Sequence, residues 1–425
     1  MPSTPHPVQK EILPNGLVVL TEPMDHVHSV SVGIWVRSGS RREPPELNGI
    51  SHFIEHMVFK GTSRRSAEDI AREMDRFGGM LDAFTSKEIV CFNTRVLAEH
   101  LPMAFDVLAD MLLDPKFAEE EIAREKSVIL EEIRMTQDNP EDLVHELFTQ
   151  NFWTSHPLGR PILGTPESVS AFTRDTLFKW FRRWYAPDEL VVTAAGKLTH
   201  AQLVDLVAAH FEKLAPADAA ARDSEPRATP HITLRSKREL EQVHLCLGVP
   251  TLPLADPRRF AASILCNVLG GGMSSRLFQQ IRERLGLAYA IFSDLSSYHD
   301  TGVLSVYAGT SLETTEQLIR AVLDEFRRLA DEPLGEEELR RAKDHLKGAT
   351  LLALEGSGQR MSSLARYHIY FDRYFTPEEL IAMLEAVTAD DVLALAREFF
   401  SPARLAASVV GPLDGFQLTR AQLAF

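Results

Sequence analysis

The chain has 425 residues, with 45 Lys and Arg against 60 Asp and Glu, a net charge of −15 at pH 7, 44% hydrophobic residues and 25% charged residues. This length allows two or three domains, and the composition excludes whole-chain disorder, a collagen-like repeat and a long coiled coil. The acidic balance argues against a nucleic-acid phosphate binder, which needs a basic face, and no apolar run of about 18 residues exists to span a membrane.

In chain order, Glu11–Leu13 and Leu17–Leu20 read as strands around a Pro14-Asn15-Gly16 turn. Ser29–Arg37 alternates Val30, Val32, Ile34 and Val36, a third strand. Over Gly49–Phe59 the period changes, with Ile50, Phe53, Ile54, Met57 and Val58 at helical spacing. Further helices are predicted at Ala67–Arg76, Leu97–Leu113 and Ala118–Met135, with Asp138-Asn139-Pro140 as a stop. Residues 215–230 (APADAAARDSEPRATP) lack apolar periodicity and read as an exposed linker. The only cysteines, Cys91, Cys246 and Cys266, form neither a disulfide framework nor a zinc-ribbon spacing, which points to a reducing compartment. The opening MPSTPHPVQKEIL lacks the cationic and apolar runs of a signal peptide. Together with Ala- and Arg-rich usage, this gives a bacterial cytoplasmic protein as the expectation.

The two halves repeat. Trp184-Tyr185-Ala186-Pro187 through Gly196 aligns with Phe399-Phe400-Ser401-Pro402 through Gly411 at an offset of 215, matching the aromatic pair, Pro, Leu and final Gly. EEEIAREK at 119–126 aligns with EEELRRAK at 336–343 at an offset of 217. Charged helix starts recur by chance, but two matches in register on either side of a linker indicate a duplicated domain. The expected limits are 1–214, a linker 215–230, and 231–425.

The main chemical signal is His52-Phe53-Ile54-Glu55-His56. On a helix, positions i and i+4 share a face, so His52 and His56 can offer two imidazole nitrogens to one zinc ion, with Glu55 at the edge of the same site. This H-x-x-E-H order is the inverzincin arrangement. Standing alone, it is equally an amphipathic helix with two chance histidines. Downstream, Glu125 and Glu132 are seven residues apart and share a helix face. Ile122, Val128 and Ile129 indicate that much of this helix is buried, where carboxylates need a cation or strong donors. The alternative, a solvated face of a Glu-rich helix, suits Glu119, Glu120 and Glu121 well and Glu131 moderately.

The run Gly49-Ile50-Ser51-His52-Phe53-Ile54-Glu55-His56-Met57-Val58-Phe59-Lys60-Gly61-Thr62 resembles the active-site helix of the M16 (pitrilysin/insulinase) zinc peptidases, in particular their mitochondrial-processing-peptidase-like branch. Similar segments lie at Gly78–Thr85, Tyr185–Gly196 and Leu269–Tyr289, so the resemblance spans nearly the whole chain. It implies an α+β fold of two homologous domains, each a mostly antiparallel sheet flanked by helices. In that family a Glu some 75 residues past the second His completes the site, and here 75 residues separate His56 from Glu132. The resemblance thus assigns Glu132 as third ligand and Glu125 as a carboxylate that helps fix the site. Arg282 and Tyr289, seven apart, resemble the family's Arg/Tyr segment, which holds the substrate backbone and stabilises the oxyanion. From spacing alone they also fit an exposed basic helix end with a core tyrosine. Asp82 departs from the family pattern, where many members carry Asn.

The expected chemistry is zinc-dependent hydrolysis of peptide bonds. Two imidazoles and one carboxylate leave the fourth zinc position open to water, and Glu55 is the general base. At the duplication offsets, His52, Glu55 and His56 fall on Asn267, Gly270 and Gly271, while Glu125 and Glu132 fall on Ala342 and Ala349, so one zinc per chain is expected. The glycines of Leu269–Leu277 lack the G-x-x-x-x-G-K-[ST] pattern, which favours a turn or hinge over phosphate binding. Cys91 reads as a buried structural thiol. The expected substrates are unstructured peptides or targeting-peptide-like segments. Single-chain relatives of about twice this length carry four such domains, zinc in the first and Arg/Tyr in the fourth. That implies a homodimer with composite sites here. The competing reading is a non-catalytic core-like or partner subunit of a processing-peptidase-type assembly.

Overall fold

The structure, a computed structural model, describes residues 8–216 and 224–425. It divides into two compact units: Met1–Ile133 with Arg160–Asp223 and Leu352–Tyr374, and Arg134–Gly159 with Ser224–Leu351 and Phe375–Phe425. Among the described residues, no helix is long and apolar enough to cross a membrane.

The first unit is built on six strands: β1 (Gln9–Ile12), β2 (Val18–Pro23), β3 (Ser29–Val36), β4 (Met80–Thr85), β5 (Val90–Leu97) and β6 (Leu190–Gly196). Their spatial order is β1-β2-β6-β3-β5-β4. Every pairing is antiparallel except β2–β6. The second unit contains β7 (Ile232–Ser236), β8 (Val243–Thr251), β9 (Ile291–Ser297), β10 (Gly302–Thr310) and β11 (Ala406–Gly411), in the order β7-β11-β8-β10-β9. Here too one pair is parallel, β7–β11, and it stands at the sheet's edge. With β1 set aside, the two orders are the same. The repeated sequence segments end in β6 and β11, which occupy the same place in each sheet. The fold is therefore α+β and duplicated.

Each sheet needs cover on both faces, because both faces are apolar. In the first unit one face packs Val19, Val30, Val32 and Ile34 against helices of the same half. The other face presents Val18, Leu20, Trp35 and Val191 and is covered by Met361, Leu364 and Ala365 of the helix Ser357–Phe371. The fit is close at Gly33 of β3, where an added Cβ would lie 2.6 Å from Met361 Sδ. In the second unit the helix Pro140–Phe152 lays Leu143, Val144, Phe148 and Phe152 against Cys246, Tyr307, Ala406 and Val410. The compact units thus differ from the contiguous stretches 1–214 and 231–425 by one exchanged segment each.

The elements form where the sequence predicts them, with shifted limits: the first strand is Gln9–Ile12 rather than Glu11–Leu13, and the helix expected to end at Met135 runs to Asp138. Leu97 ends β5, and the helix starts only at Leu101, after a 3-10 turn at Ala98–His100. Asp138-Asn139-Pro140 both stops the helix Glu119–Asp138 and starts the next: Asn139 caps it by accepting from the Glu141 N–H at 3.1 Å, and Pro140 takes its first position. Of the stretch 215–230, residues 217–223 lie outside the described residues. Beyond them the backbone is tied down, with Ser224 O accepting from His156 Nε2 at 2.9 Å and Thr229 N–H donating to Phe152 O at 2.8 Å.

Candidate metal centre

The helix Ile50–Val58 buries Ile50, Phe53, Ile54, Met57 and Val58 in the first unit's core, which leaves His52, Glu55 and His56 along one edge. Its N-terminus is held by a residue that sequence reasoning missed. The fully buried Glu43 carboxylate accepts from Gly49 N–H at 2.7 Å, Ser51 N–H at 2.9 Å and Asn48 Nδ2 at 3.1 Å. A carboxylate on the open N–H groups of a helix start also meets the positive end of its dipole. No periodicity in the sequence could have found Glu43, because it stands outside the helix in a Pro-rich turn.

The structure brings His52, His56 and Glu132 together, one ligand atom from each lying within 4.8 Å of the others. Glu132 Oε2 is 3.7 Å from His52 Nε2 and 3.8 Å from His56 Nε2. A tetrahedral zinc with bonds of about 2.0–2.1 Å holds its ligand atoms roughly 3.4 Å apart. The spacing fits zinc with small adjustment. Burial, with the neighbouring His56 adding to it, pushes the His52 pKa down to about 3, so its ring is neutral, the state a metal ligand requires. The ring's other nitrogen, Nδ1, is buried without a hydrogen-bond partner. The Glu132 side chain is 41% exposed, which leaves the site open on that side.

Glu125 stands behind His56. Its buried Oε2 lies 3.0 Å from His56 Nδ1, and its Oε1 lies 2.6 Å from Lys60 Nζ. Glu55 accepts from Thr85 Oγ1, at the end of the edge strand β4, at 2.5 Å. Burial raises the Glu55 pKa above the usual carboxylate range. The Thr85 bond pulls it back, and the charges of Glu132 and Asp82 add to the rise. Asp82 is exposed on β4. Lys60 and Thr85 both lie in segments that carried the family resemblance, yet neither was singled out there. Lys60 is four residues past His56, the one signal that could have marked it.

Other expectations divide. Ile122, Glu125 and Ile129 are buried as read, but Val128 is 49% exposed, so the buried stripe of this helix is narrower than the apolar pattern suggested. Cys91 is buried, and burial raises its thiol well above the ordinary value, consistent with a structural role. In the second unit, Arg282 lies in a π-helical turn, Phe278–Arg284, with its guanidinium 4.5 Å from the Tyr289 ring centre and 4.7 Å from that of Phe278. Tyr289 is 79% exposed, so it is not a core tyrosine. At the places of His52 and Glu55 in the second half, Asn267 Nδ2 lies 2.9 Å from His345 Nδ1, and Gly270 admits the backbone of Ser293, 2.5 Å from where its Cβ would stand.

Residues 18–166 match the family model described as "Insulinase (Peptidase family M16)", and residues 171–346 match "Peptidase M16 inactive domain". A Streptomyces coelicolor protein named "Uncharacterized zinc protease SCO5738" is 42% identical over 97% of this chain and 91% of its own. The Bacillus subtilis "Uncharacterized zinc protease YmxG" is 41% identical over 91% of this chain and 94% of its own. A protease from Helicobacter pylori superposes with a TM-score of 0.89 at 23% identity, covering 95% of this chain and 99% of that one, a likeness of fold.

Proposed function

Since the chain belongs to the M16 (insulinase) peptidase family, we propose that it is a zinc endopeptidase whose single metal ion is held by His52, His56 and Glu132. The observation that carries this reading is the convergence of those three side chains on one point beside Glu55. Their joint presence also favours an enzyme over a non-catalytic core-like or partner subunit, which needs none of them.

A zinc ion bound there supplies Lewis-acid chemistry, drawing charge from the oxygens of water and of a peptide carbonyl. The protein supplies the rest. Glu125 holds His56 by its Nδ1 so that Nε2 faces the site. Thr85 holds the Glu55 carboxylate, whose raised pKa suits it to take a proton from water and return it to the leaving amine. β4 is a sheet edge, and an extended peptide can pair with it by strand addition. This favours unstructured peptides, including targeting-peptide-like segments, over folded proteins. Arg282 and Tyr289 belong to the second unit, and we assign them to substrate holding in a homodimer with composite sites. Named relatives are bacterial, and the three buried free thiols suit the cytoplasm.

The test is Glu55→Gln on the purified chain. It should keep its zinc and lose cleavage of an unstructured reporter by about 10²–10⁴-fold, the usual weight of a general base. Wild-type chain should cut an unfolded protein and spare its folded form. Near-full activity in Glu55→Gln would remove the general-base assignment.

A further inference from the structure

Glu125 has two carboxylate oxygens, and the structure divides them between two partners. Oε2 meets His56 Nδ1 at 3.0 Å, and Oε1 meets Lys60 Nζ at 2.6 Å. The carboxylate is buried, its side chain only 5% exposed, while the Lys60 side chain is 31% exposed. Lys60 lies just past the end of the metal helix, its N–H bonded to Met57 O. A buried carboxylate needs partners, and engaging both oxygens fixes its orientation more firmly than engaging one.

We infer that Lys60 is a positioning residue for the metal: by fixing Glu125 it fixes the direction in which His56 Nε2 faces His52 and Glu132. The inference rests on the zinc reading above. Two further observations support it. His52 has no such holder, since its Nδ1 is buried without a partner, so the orientation of the ligand set depends on the His56 side. Lys60 also balances the charge of Glu125, which leaves Glu132 as the carboxylate that faces the cation. Without that ammonium, Glu125 is left with a buried oxygen that has lost its partner, and the carboxylate is free to turn away from His56 Nδ1.

The experiment compares zinc affinity, by competition with a chromophoric chelator, in wild type, Lys60→Met, Glu125→Gln and the double variant. Lys60→Met should bind zinc about 10–100-fold more weakly, the usual effect of losing an outer-shell partner. On the Glu125→Gln background the same change should add little, because the two act as one unit. Cobalt(II) gives an independent readout. Its visible absorption, which reports ligand geometry, should shift in Lys60→Met as the His56 ring loses its fixed direction, and the double variant should match Glu125→Gln. If Lys60→Met alone does not fold, Glu125→Gln against the double variant still decides, since neither holds an unpaired buried carboxylate. Unchanged zinc affinity and an unchanged cobalt spectrum in Lys60→Met overturn the inference, as does a full further loss on the Glu125→Gln background. A wild-type chain that binds no zinc removes the metal reading itself, and this inference with it.

Discussion

Replacing Glu43 tests whether one buried carboxylate holds the metal helix in place. In Glu43→Ala, Gly49 N–H and Ser51 N–H, now 2.7 and 2.9 Å from it, lose their acceptor, and Asn48 Nδ2, now 3.1 Å from it, keeps only Pro161 O at 2.8 Å. Each buried donor left unpaired costs about 1–3 kcal/mol, and water entering the gap recovers part, so a loss of about 3–6 kcal/mol is expected. For a unit of this size that lowers the melting temperature by roughly 6–24 °C. Glu43→Gln keeps one acceptor oxygen and should lose only about 1–3 kcal/mol. The two variants also separate by pH. Burial raises the Glu43 pKa above its ordinary value of 4.5, against the opposing pull of its donors. The folded chain therefore holds this proton more tightly than the unfolded chain does. That stabilising share is complete below pH 4.5 and fades as pH rises through the folded value. Gln has no such share, so its deficit against wild type should be larger near pH 5 than near pH 7. Melting curves of metal-free protein at both pH values measure all of this. If Glu43→Ala melts within a degree of wild type, the helix start does not depend on Glu43.

Three further outcomes are expected. Glu132→Gln should weaken or abolish zinc binding in a metal-content assay, because a neutral amide is a poorer ligand than a carboxylate. Gly33→Ala places a Cβ 2.6 Å from Met361 Sδ and 2.9 Å from Trp35 Nε1 and should cost about 1–3 kcal/mol by thermal melting, with Met361→Ala relieving part of it. Mixing Glu55→Gln chains with Tyr289→Phe chains, each weak alone, should recover part of the activity if sites are shared between subunits. No recovery despite exchange seen by mass spectrometry refutes shared sites.

What the sequence made legible was local. The helix around His52 and His56 follows from the spacing of Ile50, Phe53, Ile54 and Met57, and the duplication from two aligned segments that prove to include β6 and β11. Glu132 joins the histidines across 75 intervening residues, a distance only the family resemblance could bridge. What stayed hidden was set by tertiary contact. Thr85 reaches Glu55 across 30 positions through folding, and Glu43 reaches the helix start through a Pro-rich turn that no helical or strand period describes. Val128 is apolar at a helical spacing yet 49% exposed, because periodicity shows that a face is apolar and not how wide a strip its neighbours cover. The helix Ser357–Phe371 carries no mark that it serves the other half's sheet.

That helix sets an order on biosynthesis. When residues up to Gly196 have left the ribosome, all six strands of the first sheet exist. The face that carries Val18, Leu20, Trp35 and Val191 still lacks its cover, because Met361, Leu364 and Ala365 are yet to be translated. At about 5–20 residues per second, that bare surface waits on the order of ten to thirty seconds. For that interval the nascent chain is a client for chaperones that shield apolar surface. A chain cut short before Leu352 contains every metal-site residue and the whole first sheet, yet it never gains the cover. Such a product is destined for aggregation or degradation rather than for a smaller working enzyme.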